Sequence, residues 1–319
     1  MKKRIITGLV LGLILIPAIY FGGIYYLIIS LLLVYLATYE LMNMFYTKDL
    51  TLKYMRFIVP IFSMILMVLV YLGNNANPYQ IGLNDKLYLI NYNNASPNLY
   101  FVYLISILCS LLLFIIIILV CNIFMKETTA HSILASITSL IYGGLLFSSA
   151  LGIEYIKPIS VVGGDSYFAG VVLAYLFITV IGNDIFAYFL GRKFGKHKLC
   201  PTISPNKTIE GAISGGVIGS ILGTLSLFLL NIMPINFGDV TKSIVVVILT
   251  FIVTIVLSVV VQIGDLVASK FKRSYEIKDY GYIFPGHGGV MDRFDSLILS
   301  GALLSFIFLV VNIILIASI

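Results

Sequence analysis

Charge is what this chain has least of. Asp, Glu, Lys and Arg make up only 11% of its 319 residues, against 60% hydrophobic residues and a mean hydropathy of +1.07. Those proportions exclude a soluble globular domain and define a polytopic membrane protein. Cysteine is also scarce. Cys109 and Cys121 share one apolar run and Cys200 sits in a basic loop, so they offer neither a disulfide framework nor metal-ligand spacing and are read as packing residues. A cleavable leader is not indicated. Lys2, Lys3 and Arg4 precede an apolar run to Tyr20, but no small-residue cleavage site follows, and this run is read as an uncleaved first span. No internal repeat of the kind common in transporters is evident, and no serine–histidine pair suggests a nucleophile.

What is present is apolar sequence in lengths suited to a bilayer, which takes about 20 residues per helical crossing. Nine spans are expected: Ile5–Phe21, Ile24–Phe45, Phe57–Leu72, Leu99–Ile123, Ile133–Tyr155, Tyr167–Leu190, Ala212–Met233, Ser243–Val267 and Phe294–Ala317. The expected fold is therefore an all-α polytopic bundle, with four spans in residues 1–130 and five spans carrying the chemistry in residues 131–319. Gly22 and Gly23 join the first two spans in a tight turn. Placing the N-terminus inside puts 17 of the 20 basic residues on the cytoplasmic side and leaves only Lys86, Lys157 and Lys242 outside, which predicts an N-in, C-out plasma-membrane protein. The net charge of +6 is then mostly topogenic, and no nucleic-acid partner is needed to explain it. The asparagine-rich outer loop from Gly73 to Asn98 carries no recognisable chemistry.

Charge is concentrated from Ser269 to Asp295, where 27 residues hold nine of the 34 charged side chains. Carboxylates come to this side of the membrane from three spans. Asp184 lies seven residues before Gly191, roughly 10 Å from its helix end; Asp265 lies near the end of the eighth span, and Asp292 and Asp295 open the ninth on a shared face. Each alone is explained by a nearby arginine, but four converging suit a divalent cation, because ionisable groups at membrane depth are costly and hard cations take carboxylate and phosphate oxygens. Around them stand Arg192, Lys193, Lys196, Lys198 and Lys207, and Lys272, Arg273, Lys278 and Arg293. Gly286, Gly288 and Gly289 flank His287 and lead into the ninth helix, a setting in which backbone N–H groups can approach a phosphate. A separate stripe, Gly211, Gly215, Gly219 and Gly223, bares one helix face. Packing within the bundle is its preferred reading, with a homodimer interface as the alternative.

These residues resemble a known signature. Ser269-x-Phe271-Lys272-Arg273, Lys278-Asp279 and Pro285-x-His287-Gly288-Gly289-x-x-Asp292-Arg293-x-Asp295 are similar to the motif of the phosphatidate cytidylyltransferases, or CDP-diacylglycerol synthases. Asn183-Asp184, Gly191-Arg192-x-Phe194-Gly195 and Ser204-Pro205-Asn206-Lys207-Thr208-x-Glu210-Gly211 resemble that family's upstream region. Lys3–Gly8 and Tyr39-Glu40-Leu41 also match. Asn206 stands where many relatives carry lysine, and no role is carried to it.

The resemblance implies cytidylyl transfer from CTP to phosphatidate at the cytoplasmic face, with membrane lipid as surroundings and substrate. It implies Mg²⁺ held by Asp265 and Asp292, with K⁺ as the candidate second metal. Catalytic roles fall to Asp184, Lys207, Lys272, Arg273, Lys278, Asp279, His287, Arg293 and Asp295, and substrate binding to Asn183, Arg192, Ser204, Glu210, Ser269, Gly288 and Gly289. Bland alternatives stand beside these roles: Glu210 as a helix cap, and Asp279 and Asp295 as partners of Lys278 and Arg293. The competing function is a membrane transporter of an anionic or nucleotide solute, which charge gathered at one face disfavours.

Overall fold

The computed structural model describes residues 2–75, 79–84, 86–91, 97–125, 128–155, 170–230 and 240–317. Among the described residues ten α-helices carry the fold: α1 Lys2–Phe21, α2 Gly23–Tyr46, α3 Met55–Asn75, α4 Pro97–Phe124, α5 Ala130–Ser139, α6 Phe147–Gly152, α7 Val171–Phe194, α8 Ile209–Leu229, α9 Val240–Ser274 and α10 Met291–Ala317. A π-helical turn, Leu140–Leu146, joins α5 to α6, so these two make one span. Two short antiparallel hairpins accompany them, β1 Tyr79–Asn84 with β2 Lys86–Asn91 and β3 Lys198–Cys200 with β4 Ser204–Thr208.

Among the described residues eight helices are long and apolar enough to cross a membrane. The fold is thus the expected polytopic helical bundle. Residues 167–169 and 231–233 of two expected spans lie outside the described residues. Gly22 and Gly23 have φ of 58° and 56°, a left-handed pair that lets α1 turn directly into α2.

Helix α9 departs most from expectation. Its apolar span ends near Val267, yet the helix runs 35 residues, or roughly 50 Å, and carries Ser269, Lys272 and Arg273 on its last turns. No glycine or proline follows Gly264 until past the helix end, and lysine and arginine are good helix formers, so nothing stops it earlier. It closes with bonds from Ile277 N to Lys272 O (3.0 Å) and from Glu276 N to Arg273 O (3.2 Å). Glu276 takes the left-handed position of this cap, φ 57°, where glycine is usual.

The glycine stripe of α8 packs on α7 within one chain. A Cβ on Gly211 would lie 2.7 Å from Ala187 O, one on Gly215 2.6 Å from Asn183 O, and one on Gly219 2.9 Å from Asn183 N. Close approach of the two backbones therefore consumes the face that had suggested a homodimer.

The charged connections meet at one end of the bundle. Lys48 Nζ donates to Ser274 O (3.0 Å), Thr129 Oγ1 to Asp49 Oδ2 (3.1 Å), and Arg273 Nε to Ile203 O (3.3 Å), while His131 Nε2 lies 2.6 Å from the Tyr275 hydroxyl. Loops after α2, before α5, between α7 and α8, and after α9 thus share a face, as the charge count required.

Candidate active site

Two cavities open where these loops meet. The larger, 730 Å³, is lined by Asp184, Arg192, Asn206, Lys207, Gln262 and Asp265 among others, and the smaller, 520 Å³, by Lys278, Asp279, Pro285, His287, Gly288 and Arg293 among others. Lys272, Asp292 and Asp295, on facing turns of α9 and α10, line neither.

In the larger cavity, β4 delivers Lys207 to Asp265 of α9, with Nζ 2.5 Å from Oδ2. Ser269, one turn along α9, donates to Asp265 Oδ1 at 3.2 Å. Asp184 and Asp295 feel the Asp265 charge, so three helices do bring carboxylates into one electrostatic neighbourhood. Asn183 is fully buried behind this group and accepts from Gln262 Nε2 at 3.0 Å; the same nitrogen donates to Ala212 O at 2.8 Å. Gln262 is a cavity residue that composition and motif reading passed over.

The second cluster centres on Asp292, which is almost wholly buried. Its Oδ2 accepts from Tyr280 N (2.7 Å) and Gly289 N (3.0 Å), and its Oδ1 accepts from Lys272 Nζ (2.9 Å). Lys272 also stands 4.0 Å from Asp295 Oδ2, so one ammonium serves both carboxylates of α10. Of the four lone-pair sites on the Asp292 carboxylate, three are used by protein donors. The Tyr280 hydroxyl donates to Ala268 O at 2.9 Å, and burial, with nearby Tyr142, Asp295 and Asp292, drives its ionisation well above the usual tyrosine range.

The glycine turn carries a feature missed in the sequence. Glu40 of α2 is 3% exposed, and its two oxygens accept from Val290 N (3.0 Å) and Met291 N (2.9 Å) at the start of α10. A Cβ on Gly281 or Gly289 would collide with the Glu40 carboxylate. Gly288, with φ 81°, lets Asp292 in: a Cβ there would sit 2.7 Å from Asp292 Oδ2. The positive end of α10, expected to meet a substrate phosphate, is therefore occupied by the protein's own carboxylates, which the helix dipole favours for the same reason. His287 N is engaged too, donating to Phe284 O at 2.8 Å. Lys278, Asp279, His287 and Arg293 remain around the smaller cavity.

Other expected residues lie at the margin. Glu210 accepts from Lys196 N (3.0 Å), from His197 N (3.2 Å) and contacts His197 Nδ1 (2.6 Å), stapling the α7–β3 connection to the start of α8. Arg273 donates to Ile203 O and Ile277 O, both at 3.3 Å, tying α9 to the hairpin. Ser204 pairs with Cys200 across that hairpin. Arg192 reaches the Tyr188 hydroxyl at 3.4 Å on the cavity rim.

Among the described residues no group of three or more His, Cys, Asp or Glu side chains forms a ready metal cage. Mg²⁺ does not require one, since it typically takes one or two carboxylates and completes its shell with water and substrate phosphate. Asp265 and Asp292, each held by an ammonium and each retaining acceptor capacity, fit such a cation by their donor chemistry.

Helices enough for a multipass membrane protein, with paired lysines and carboxylates beside two charged cavities at one end, define a membrane-embedded site for an anionic substrate. Residues 2–311 match the model of the Cytidylyltransferase family, and the chain belongs to that family. It is 32% identical over 305 residues to a phosphatidate cytidylyltransferase of Staphylococcus haemolyticus, covering 93% of this chain and 94% of that protein. A phosphatidate cytidylyltransferase of Staphylococcus saprophyticus is 31% identical over 307 residues, covering 93% and 94%. That of Bacillus subtilis is 44% identical over 127 residues, covering 39% of this chain and 43% of its own.

Proposed function

We propose that this chain transfers a cytidylyl group from CTP to phosphatidate, giving CDP-diacylglycerol and pyrophosphate, at the cytoplasmic face of the plasma membrane with the N-terminus inside. The observation that carries the reading is the pair of ion pairs, Lys207 with Asp265 and Lys272 with Asp292, set on separate elements beside cavities large enough for phosphates. Such lysines have counterions only until a more highly charged anion arrives.

A phosphatidate oxygen is already anionic and needs no general base. It attacks the α-phosphorus of CTP, a new P–O bond forms, and the bond to the bridging oxygen of the β-phosphate breaks with its electron pair leaving on pyrophosphate. The protein's task is positioning and charge neutralisation. Lys207 and Lys272 turn from their carboxylates toward phosphate oxygens, and Arg192, Lys278 and Arg293 hold anions at the cavity rims. Asp265 and Asp292 would hold Mg²⁺, with K⁺ as a second cation, and the bound charge would offset that of the triphosphate. Asp184 and Asp295 keep the surrounding field negative enough to retain cations.

The test is pyrophosphate release by purified protein in mixed micelles with CTP, phosphatidate and Mg²⁺. Release that needs all three, and stops with a chelator, supports the reading. A protein that moves CTP across vesicles without releasing pyrophosphate would be a transporter.

A further inference from the structure

We propose that Tyr142, outside every motif discussed above, is a substrate-contacting residue whose hydroxyl donates to a phosphate oxygen bound beside Asp265 and Asp295. This rests on the cytidylyl-transfer reading. Three observations place it there. Tyr142 is 6% exposed, and its hydroxyl has no hydrogen-bond partner among the described residues. That hydroxyl lies within electrostatic range of Asp295 and Asp265, and of Tyr280, yet beyond hydrogen-bonding distance of them. Its ring is held edge-on against Phe271 of α9, centroids 5.7 Å apart, one turn beyond Val267 on the helix that carries Asp265.

The backbone explains how the side chain is held. Tyr142 sits in the π-helical turn Leu140–Leu146, and such wide turns displace side chains from their regular helical register and concentrate at functional sites. Gly143 and Gly144 follow it. A Cβ on Gly143 would lie 3.0 Å from Thr38 Oγ1, and one on Gly144 2.6 Å from Ser63 Oγ, so the turn is pressed against α2 and α3. Lining up a phenol here costs something, because a buried polar group without a partner forfeits its hydration. An oxygen acceptor arriving with substrate supplies the missing partner. Lys207 and Lys272 supply the charge that lets a phosphate approach these carboxylates.

The test is Tyr142→Phe, which keeps the ring and removes one oxygen. Thermal midpoint is measured without ligand, nucleotide affinity by titration with a CTP–Mg²⁺ complex, and KM for phosphatidate in mixed micelles. The expected result is an unchanged or higher midpoint together with affinity weakened about ten-fold or more, the usual effect of losing a hydrogen bond to a charged group. Weaker CTP–Mg²⁺ binding assigns the contact to the nucleotide; a raised phosphatidate KM with intact CTP binding assigns it to the lipid phosphate. Wild-type affinity and KM for both would overturn the proposal. So would a lowered midpoint with proportionate loss of turnover and unchanged affinities, which marks a packing residue. Failure of the wild-type protein to turn over CTP counts against the parent reading, while the binding titration still judges Tyr142.

Discussion

Removing Glu40 should disable a site to which it contributes no substrate contact. Its carboxylate accepts two backbone N–H groups at 3.0 and 2.9 Å, almost fully out of solvent, and it fills the space left by Gly281 and Gly289. A hydrogen bond to a charged group contributes about 1.5–3 kcal/mol, so the two together are worth on the order of 3–5 kcal/mol. Glu40→Ala leaves Val290 and Met291 N–H groups unpaired at the positive end of α10 and opens a void against the glycine turn. We expect a loss of about 3–5 kcal/mol, hence a thermal midpoint lower by on the order of 10 °C. Glu40→Gln keeps one acceptor oxygen but presents an NH₂ group to the second N–H, and should lose roughly half as much. Since α10 carries Asp292, Arg293 and Asp295, kcat/KM should fall more steeply than the folded fraction, with Gln above Ala. The assay is circular dichroism melting and retention on size exclusion after heating, paired with initial-rate kinetics at a temperature where each variant is folded. A wild-type midpoint and wild-type kcat/KM in Glu40→Ala would refute the reasoning.

Three further outcomes follow from the same structure. Gly215→Ala forces a methyl group into Asn183 O and Ala187 at the α7–α8 contact, so it should cost about 1–3 kcal/mol and lower the melting midpoint; an unchanged midpoint would mean the helices separate freely. Burial alone would raise the Asp49 carboxyl, but bonds from Thr51, from Thr129 and from His131 hold it below its ordinary value. A depressed carboxyl stabilises the fold above its unfolded value of about 4 and loses that contribution as pH falls through the folded value. Asp49→Asn should therefore lower the midpoint at pH 7 and flatten its decline below about pH 4; identical acid limbs would contradict this. Asp265→Asn and Asp292→Asn should each abolish turnover while the protein still inserts, and substantial residual activity in either removes that residue from the cation site.

Spans were legible because hydropathy over 20 residues needs no tertiary information, and the Gly22–Gly23 turn because only glycine adopts two successive left-handed conformations cheaply. The carboxylates of α7, α9 and α10 could be placed on one side by counting helix residues. What could not be read was occupancy. A glycine turn before a helix has the same sequence whether its N–H groups await a phosphate or already hold Glu40, whose partner Val290 is 250 residues away. Tyr39-Glu40-Leu41 was visible as a motif, but its partner was not. Helix α9 runs past the expected span because hydropathy marks where a membrane ends and not where a helix does. Gln262 and Tyr142 were passed over because a lone amide or phenol in an apolar run looks like packing until its neighbours are known.

The most direct measurement is the fate of the α-phosphate. CTP labelled at the α-phosphorus is incubated with purified protein, phosphatidate and Mg²⁺, and the label is followed into a chloroform-soluble product. The account predicts one labelled lipid per pyrophosphate released in the wild-type protein, and none with Asp265→Asn. Label confined to the aqueous phase, or lipid labelled only from γ-labelled CTP, would contradict it.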